Sequence, residues 1–214
     1  MTTRVRLAIP KGSLERDTFS LLEKAWYRIY GKDRTYRPVL SDEEVEVKLL
    51  RPQEIPIAVN EGSYDVGITG QDWIKETNVD VEILFDLRYG AVKLVFAVPE
   101  SAHANSADEY AEGLWDSGKP VRLSTEYLNL AARYVGSLES YRRRFGTKSP
   151  LVITPWWTKG DNSAARIYLS FGATEAKPPE EADAILDVVE TGTTLQANKL
   201  RALDTVLQST AVLI

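Results

Sequence analysis

Segments of hydrophobic period two alternate along this chain with segments of period 3.6, and this alternation limits the fold more than any other feature. The apolar residues Val5, Leu7 and Ile9 occupy every second position and predict a strand. The apolar residues from Leu14 to Ile29 recur at helical spacing and predict a helix. Further strands are predicted at 45–49, 65–69, 81–85, 93–98, 121–124 and 184–188, and helices near 55–59, from 127 and from 194. Strands that alternate with helices are typical of an α/β fold with largely parallel sheets.

The length of 214 residues fits one large domain or two small ones. We predict two α/β lobes with a central cleft. The first lobe takes residues 1–90 plus about 200–214, and the second takes residues 91–199.

The composition excludes several classes of chemistry. The chain has no cysteine and one histidine, so cysteine nucleophiles, thiolate metal sites and multi-histidine metal sites are ruled out. The net charge of −5 disfavours general binding to nucleic acid or to an anionic membrane. No apolar run is long enough to span a bilayer, and the N-terminus lacks a signal-peptide pattern. We therefore expect a cytoplasmic protein with no membrane or nucleic-acid partner.

The strongest candidate site is the segment from Ala184 to Leu195, an apolar strand that runs into an acid, a glycine among threonines and then a helix. Gly192 allows a tight turn and a close approach of backbone to ligand. Backbone amides and hydroxyls around it suit a phosphate group. Asp187 and Glu190 could accept hydrogen bonds from ribose hydroxyls or reach a metal. A strand, a turn and a Thr-capped helix without any ligand explain the pattern equally well.

Two other strand–turn–helix junctions are weaker candidates. Lys11 stands at the first of these, Pro10–Leu14, and could meet an anion at a helix start. The second, Asp65–Asp72, follows a strand at the end where open α/β sheets bind ligands. Arg34 and Arg51 lie near predicted strand ends, but most arginines are simply solvated.

Trp156 and Trp157 form a Pro-flanked aromatic pair. The two rings could stack on a base. A pair of this kind more often packs in the protein or forms an interface.

Together, these segments resemble the ATP phosphoribosyltransferase family, in order and over nearly the whole chain. The resemblance rests on AIPKGSL, KDRTYRP, RPQEIPIAVNEGSYDVGITGQDWI, DLRYGAVKLVFAVP, RLSTEYLNLAARY, GATEAKPPEEADAILDVVETGTTLQANKL and QSTAVLI. The chain departs from the usual pattern at Glu54 and Glu181, and its stretch from about Lys148 to Ala165 is longer than usual.

The resemblance implies a two-lobed fold like that of type II periplasmic binding proteins. It also implies a reaction in which adenine N1 of ATP attacks the anomeric carbon of 5-phosphoribosyl pyrophosphate, with Mg²⁺ accompanying the pyrophosphate that leaves. The residues assigned to binding the phosphoribosyl group are Asp187, Glu190, Thr191, Gly192, Thr193, Thr194 and Leu195. Those assigned to the pyrophosphate are Arg34, Arg51 and Lys11, and Glu126 and Tyr127 are expected on the ATP side.

The family has a short form, which works with a regulatory subunit similar to histidyl-tRNA synthetase, and a long form with its own regulatory domain. The chain resembles the short form, although a truncated long form would look the same. A homodimer or higher oligomer is expected. Two other functions stay open: a cytoplasmic two-lobe module that binds or senses a small ligand, and a type I phosphoribosyltransferase.

Overall fold

The computed structural model describes residues 4–32 and 35–214. Its strands are β1 Val5–Pro10, β2 Ile29–Tyr30, β3 Val39–Leu40, β4 Val45–Leu50, β5 Val66–Gly70, β6 Phe85–Asp86, β7 Val92–Pro99, β8 Val121–Thr125, β9 Pro150–Ile153, β10 Thr158–Lys159, β11 Asn162–Leu169, β12 Ala184–Val189, β13 Leu200–Ser209 and β14 Ala211–Leu213. Its α-helices are α1 Glu15–Lys24, α2 Ile55–Asn60, α3 Gln71–Thr77, α4 Ala107–Asp116, α5 Leu128–Ser137, α6 Glu139–Phe145 and α7 Thr193–Ala197. None of the described helices is long and apolar enough to cross a membrane.

The chain divides into two compact units, residues 1–91 with 209–214 and residues 92–208. The sequence had indicated a return to the first lobe near residue 200. In the structure β13 is a strand of the second sheet, next to β7, so the chain returns only at Ser209.

The sheet of the first unit has the strand order β2-β3-β4-β1-β5-β14-β6 in the described residues. Its centre is parallel, because β1 pairs in parallel with both β4 and β5. The closing strand β14 pairs antiparallel with β5 and β6. Buried Leu7, Ile9, Val47 and Leu49 form the core on one face of this sheet.

The sheet of the second unit has the order β10-β9-β11-β8-β12-β7-β13 among the described residues. Strands β9, β11, β8 and β12 run parallel, so their carboxyl ends lie at one edge. Strand β7 is antiparallel to β12. The α/β class expected from the sequence is confirmed, with antiparallel strands added to both parallel sheets.

Two predicted elements differ from the structure. The first helix ends at Lys24 rather than continuing to Ile29, because Trp26 takes a left-handed φ of 67° and Tyr27 N–H donates back to Leu22 O. The predicted strand at 81–85 is reduced to the two residues of β6.

Candidate functional site

The glycine–threonine loop follows β12 and leads directly into α7. Gly192 is the residue before the helix and has a left-handed φ of 83°, a conformation that favours glycine. The hydroxyls of Thr191 and Thr193 are hydrogen-bonded to each other at 2.9 Å. The loop surrounds a cavity of about 280 Å³, lined by Glu175, Asp187, Val188, Val189, Glu190, Thr191, Gly192, Thr194 and Leu195.

The backbone amides at the start of α7 directly follow Gly192. No side chain in the described part of the chain caps the helix start, so the amides of its first turn are not satisfied by a cap. Because α7 has only five residues, its dipole is small, and the amides themselves are what the loop offers an anion. Leu195 is 6% exposed and packs on Val95, Ile185 and Leu200, which fixes the loop to the sheet.

Asp187 lies within β12 at the wall of the cavity, and the pKa of its carboxyl group reflects its surroundings there. Burial raises the pKa of this carboxyl group to about 6, and the nearby charges of Glu175 and Glu126 also raise it. The Val188 amide donates to Asp187 Oδ1 at 2.7 Å and, with the Thr174 hydroxyl, partly offsets the increase. Glu190, the residue directly after the strand, is exposed.

Sequence reasoning did not assign Thr174 and Glu175 to the site. They form a short 3-10 helix, Thr174–Ala176, in the connection between β11 and β12. Strand order then places this connection beside the loop, although Glu175 precedes Asp187 by 12 positions in the chain. Their only signal was membership of the segment GATEAKPPEEADAILD.

Glu126 and Tyr127 follow β8, the strand next to β12. Glu126 lies near enough to Asp187 to raise its pKa. Tyr127 is only 3% exposed, and its amide donates to Thr125 Oγ1 at 2.8 Å. Its side chain is therefore buried, and its assignment to the ATP side stays a prediction.

Lys11, Gly12 and Arg51 meet at the carboxyl edge of the first sheet. Pro10 pairs with Leu50, so the residues that follow β1 and β4 are neighbours, and Lys11 N–H donates to Leu50 O at 2.7 Å. A Cβ added at Gly12 would lie 3.8 Å from Arg51 Nη1.

The ammonium group of Lys11 forms a 3.7 Å ion pair with Glu15 and lies 5.0 Å from the centroid of the Tyr36 ring. Arg51 is exposed, and its backbone N–H donates to Glu54 Oε2 at 3.2 Å. Arg34, the third predicted cation, lies outside the described residues.

The two mixed α/β sheets, with a glycine–threonine loop after a parallel strand of the second, have the fold class of type II periplasmic binding proteins. A profile of the HisG family, ATP phosphoribosyltransferase, matches residues 51–214. The chain is 41% identical over 211 residues to ATP phosphoribosyltransferase of Thermodesulfovibrio yellowstonii, covering 96% of this chain and 62% of that protein. The chain belongs to the ATP phosphoribosyltransferase family.

The chain thus spans about 62% of the length of this curated relative. Among solved structures, it is similar to the ATP phosphoribosyl transferase (HisG:HisZ) complex from Thermotoga maritima, with a TM-score of 0.70 and 23% identity over 98% of this chain and 86% of that one. It is also similar to the alkanesulfonate-binding protein SsuA from Xanthomonas axonopodis pv. citri, bound to MOPS, with a TM-score of 0.50 and 13% identity over 98% and 65%. These two likenesses concern the fold. Family membership does not favour the alternative of a binding module without catalysis.

Proposed function

We propose that the chain catalyses the transfer of a phosphoribosyl group from 5-phosphoribosyl pyrophosphate to N1 of the adenine of ATP, the first step of histidine biosynthesis, in the cytoplasm. The observation that carries the proposal is the loop from Asp187 to Leu195. It combines a left-handed glycine, uncapped amides, three threonines and a cavity of about 280 Å³ in one place.

The loop has the donors that a phosphate monoester requires. The amides of Thr193, Thr194 and Leu195 begin α7, and amides in a first helical turn lack partners within the helix. The hydroxyls of Thr191, Thr193 and Thr194 can add hydrogen bonds. Since none of the described residues that line the cavity is a lysine or an arginine, binding there depends on neutral donors placed close together.

Asp187 and Glu190 are suited to the ribose hydroxyls. Carboxylate oxygens accept two hydrogen bonds from a diol with good geometry. Glu190 is exposed at the cavity and Asp187 forms its wall. A pKa of about 6 leaves Asp187 mostly ionised at neutral pH, as this role requires.

Arg51 and Lys11 are assigned to the pyrophosphate group, together with Arg34. A guanidinium fork matches the spacing of phosphate oxygens, and an ammonium group adds a point charge. Support comes from the carboxyl edge of the first sheet, where Arg51 and Lys11 are adjacent and Gly12 leaves space beside the guanidinium group.

The chemistry balances without a general base. The lone pair of adenine N1 forms a bond to the anomeric carbon as the bond from that carbon to the pyrophosphate oxygen breaks. Pyrophosphate leaves with the bonding electron pair, and N1 has no proton to lose. Catalysis then consists of positioning the two substrates and stabilising the charge that develops on the leaving group.

Mg²⁺ fits this scheme as an ion bound mainly by substrate. Among the described residues, no group of three or more histidine, cysteine or carboxylate side chains could hold a metal ion. Magnesium is commonly held by substrate phosphates and one or two carboxylates, and Asp187 and Glu190 are available for that purpose. When bound, Mg²⁺ neutralises charge on the pyrophosphate.

We also propose that the chain works as a homodimer or higher oligomer with a regulatory subunit that resembles histidyl-tRNA synthetase. The support is one solved structure of similar fold. The similar Thermotoga maritima structure is, by its description, a HisG:HisZ complex.

The test is to incubate the purified chain with ATP, 5-phosphoribosyl pyrophosphate and Mg²⁺, and to measure ATP consumption, pyrophosphate release and the mass of the nucleotide product. The expected product is ATP that carries one phosphoribosyl group. Controls omit each substrate in turn. ATP loss that does not require the phosphoribosyl donor would contradict the proposal, and so would transfer to a free purine base but not to ATP.

A further inference from the structure

Three aromatic side chains, Trp156, Trp157 and Phe171, form what we term the aromatic ledge. They are 73%, 47% and 70% exposed, respectively. The Trp156 and Phe171 rings are 5.9 Å apart between centroids and lie at 87° to each other. They form an open right-angled corner, in which one ring presents its face and the other its edge.

The backbone beneath the two tryptophans is held in a defined turn. Thr154 Oγ1 donates to Trp157 O at 2.9 Å and accepts from the amides of Trp156 and Trp157 at 3.3 and 3.0 Å. The Thr154 amide also donates to Trp157 O at 2.9 Å. Thr154 itself is only 9% exposed. The rings are thus presented by a fixed turn, which reduces the entropy lost when a ligand binds.

The ledge lies at the ligand-binding edge of the second sheet. Trp156 follows β9 and Phe171 follows β11, and both strands run parallel to β12, which leads into the glycine–threonine loop. Parallel α/β sheets bind ligands at this edge. At about 4.8 Å per strand, β11 and β9 lie roughly 10 and 14 Å from β12.

Exposure of large apolar side chains in the second unit is confined to this edge. In the described part of that unit, those classed as exposed are Trp156, Trp157, Phe171 and Val188. The first three follow strand ends and Val188 is the second-to-last residue of β12. Three rings make a patch smaller than a stable protein interface requires, but large enough for one flat heterocycle.

We propose that Trp156 and Phe171 form a stacking platform for the adenine ring of ATP. This inference rests on the proposed transferase function, in which adenine N1 bonds directly to the anomeric carbon. The base must then lie one ribose away from the phosphate in the loop. A ribose 5-phosphate and an indole side chain together span the separation between the strand ends. Stacking fixes the plane of the base and leaves N1 free to react.

The first experiment compares Trp156→Ala with Trp156→Phe and with Trp26→Ala, a control at a 91% exposed tryptophan of the first unit. Trp156→Ala is expected to raise KM for ATP roughly tenfold or more and to leave KM for 5-phosphoribosyl pyrophosphate unchanged. Trp156→Phe keeps an aromatic face and should restore most of the affinity, and Trp26→Ala should match the unchanged chain. An unaltered KM for ATP in folded Trp156→Ala would overturn the platform.

The second experiment measures binding without turnover, so that failure of the platform is distinguishable from failure of the transferase. ATP and AMP should quench the tryptophan fluorescence of the unchanged chain, and inorganic tripolyphosphate should not. Trp156→Phe should lose most of the quenching. Equal quenching by tripolyphosphate would contradict stacking. A fall in the light-scattering mass of Trp156→Ala to that of a smaller oligomer would also contradict it. Quenching without phosphoribosyl transfer would retain the platform and refute the proposed reaction.

Discussion

The carboxyl edges of the two sheets are built from different chemistry. The first edge offers full positive charges on flexible side chains, Lys11 and Arg51. The second edge offers neutral amides and hydroxyls around Gly192, beside the carboxyl groups of Asp187 and Glu175. An anion can therefore be bound by charge at one edge and by local backbone shape at the other.

This difference determines which ligands each edge can distinguish. Point charges attract any phosphate and weaken as salt screens them. A loop of backbone amides favours a group that fits its donors, and carboxylates beside it favour ligands with hydroxyls to donate. The proposed function assigns a diphosphate leaving group to the first edge and a sugar phosphate to the second.

The largest expected effect comes from Gly192→Val. Among the described atoms, the nearest to a Cβ added here is Val189 Cγ1 at 4.0 Å, so the loss of binding comes from the left-handed φ of 83° and from the space that a ligand needs. We expect binding of 5-phosphoribosyl pyrophosphate to fall beyond detection in calorimetry. The matched control is Gly118→Val, since Gly118 has a φ of 74° and an added Cβ there would meet no described atom within 4 Å. Equal binding losses in both variants would mean that backbone strain alone is responsible.

Arg51→Ala tests the edge that binds by charge. Loss of a donor to the leaving group is expected to lower kcat by about 10²-fold. Arg51→Lys should recover part of the rate, because it keeps the charge but lacks the guanidinium fork. Arg28→Ala, at an exposed arginine of the same unit, serves as the control. If steady-state rates of Arg51→Ala and Arg28→Ala agree, the first edge has no role in charge stabilisation.

Asp187→Asn is expected to have the smallest effect. The substitution should raise the free energy of unfolding but lower the affinity for the phosphoribosyl donor. The pKa of Asp187 rises from 3.8 to about 6 on folding, so its contribution to stability is complete below pH 3.8 and is lost as pH rises through 6. At pH 7 the free energy of unfolding of the Asp187→Asn variant should be about 1–3 kcal/mol higher than that of the unchanged chain, and at pH 4 the two values should differ little.

Urea denaturation at both pH values measures this effect, with Glu181→Gln as an exposed carboxylate control in the same unit. Affinity for the phosphoribosyl donor should fall in the Asp187→Asn variant despite its higher stability. If Asp187→Asn lowers the free energy of unfolding at pH 7, the charged form of Asp187 is not destabilised by its surroundings.

Local sequence patterns predicted much of the fold and part of the site. The segment from Ala184 to Leu195 was readable because a strand, a glycine turn and a helix start are contiguous there. The end of α1 was not readable, since Trp26 takes a left-handed conformation that a glycine would normally signal.

Contacts between residues far apart in the chain were the other limit on prediction from the sequence. Thr174 and Glu175 reach Asp187 only because β8 lies between β11 and β12 in the sheet, and no spacing in the sequence encodes that order. Tyr127 shows the same limit, because its burial depends on packing that the motif around it does not reveal.

The late return of the chain to its first unit has a consequence for biosynthesis. Strand β14 lies between β5 and β6, and Leu213 pairs with both Ile68 and Phe85. During translation, residues 4–91 therefore leave the ribosome with a gap in their sheet, whereas residues 92–208 emerge as one continuous unit. The second unit can complete its folding first, and the nascent first unit must wait, with the edge of β5 unpaired, until the last strand arrives.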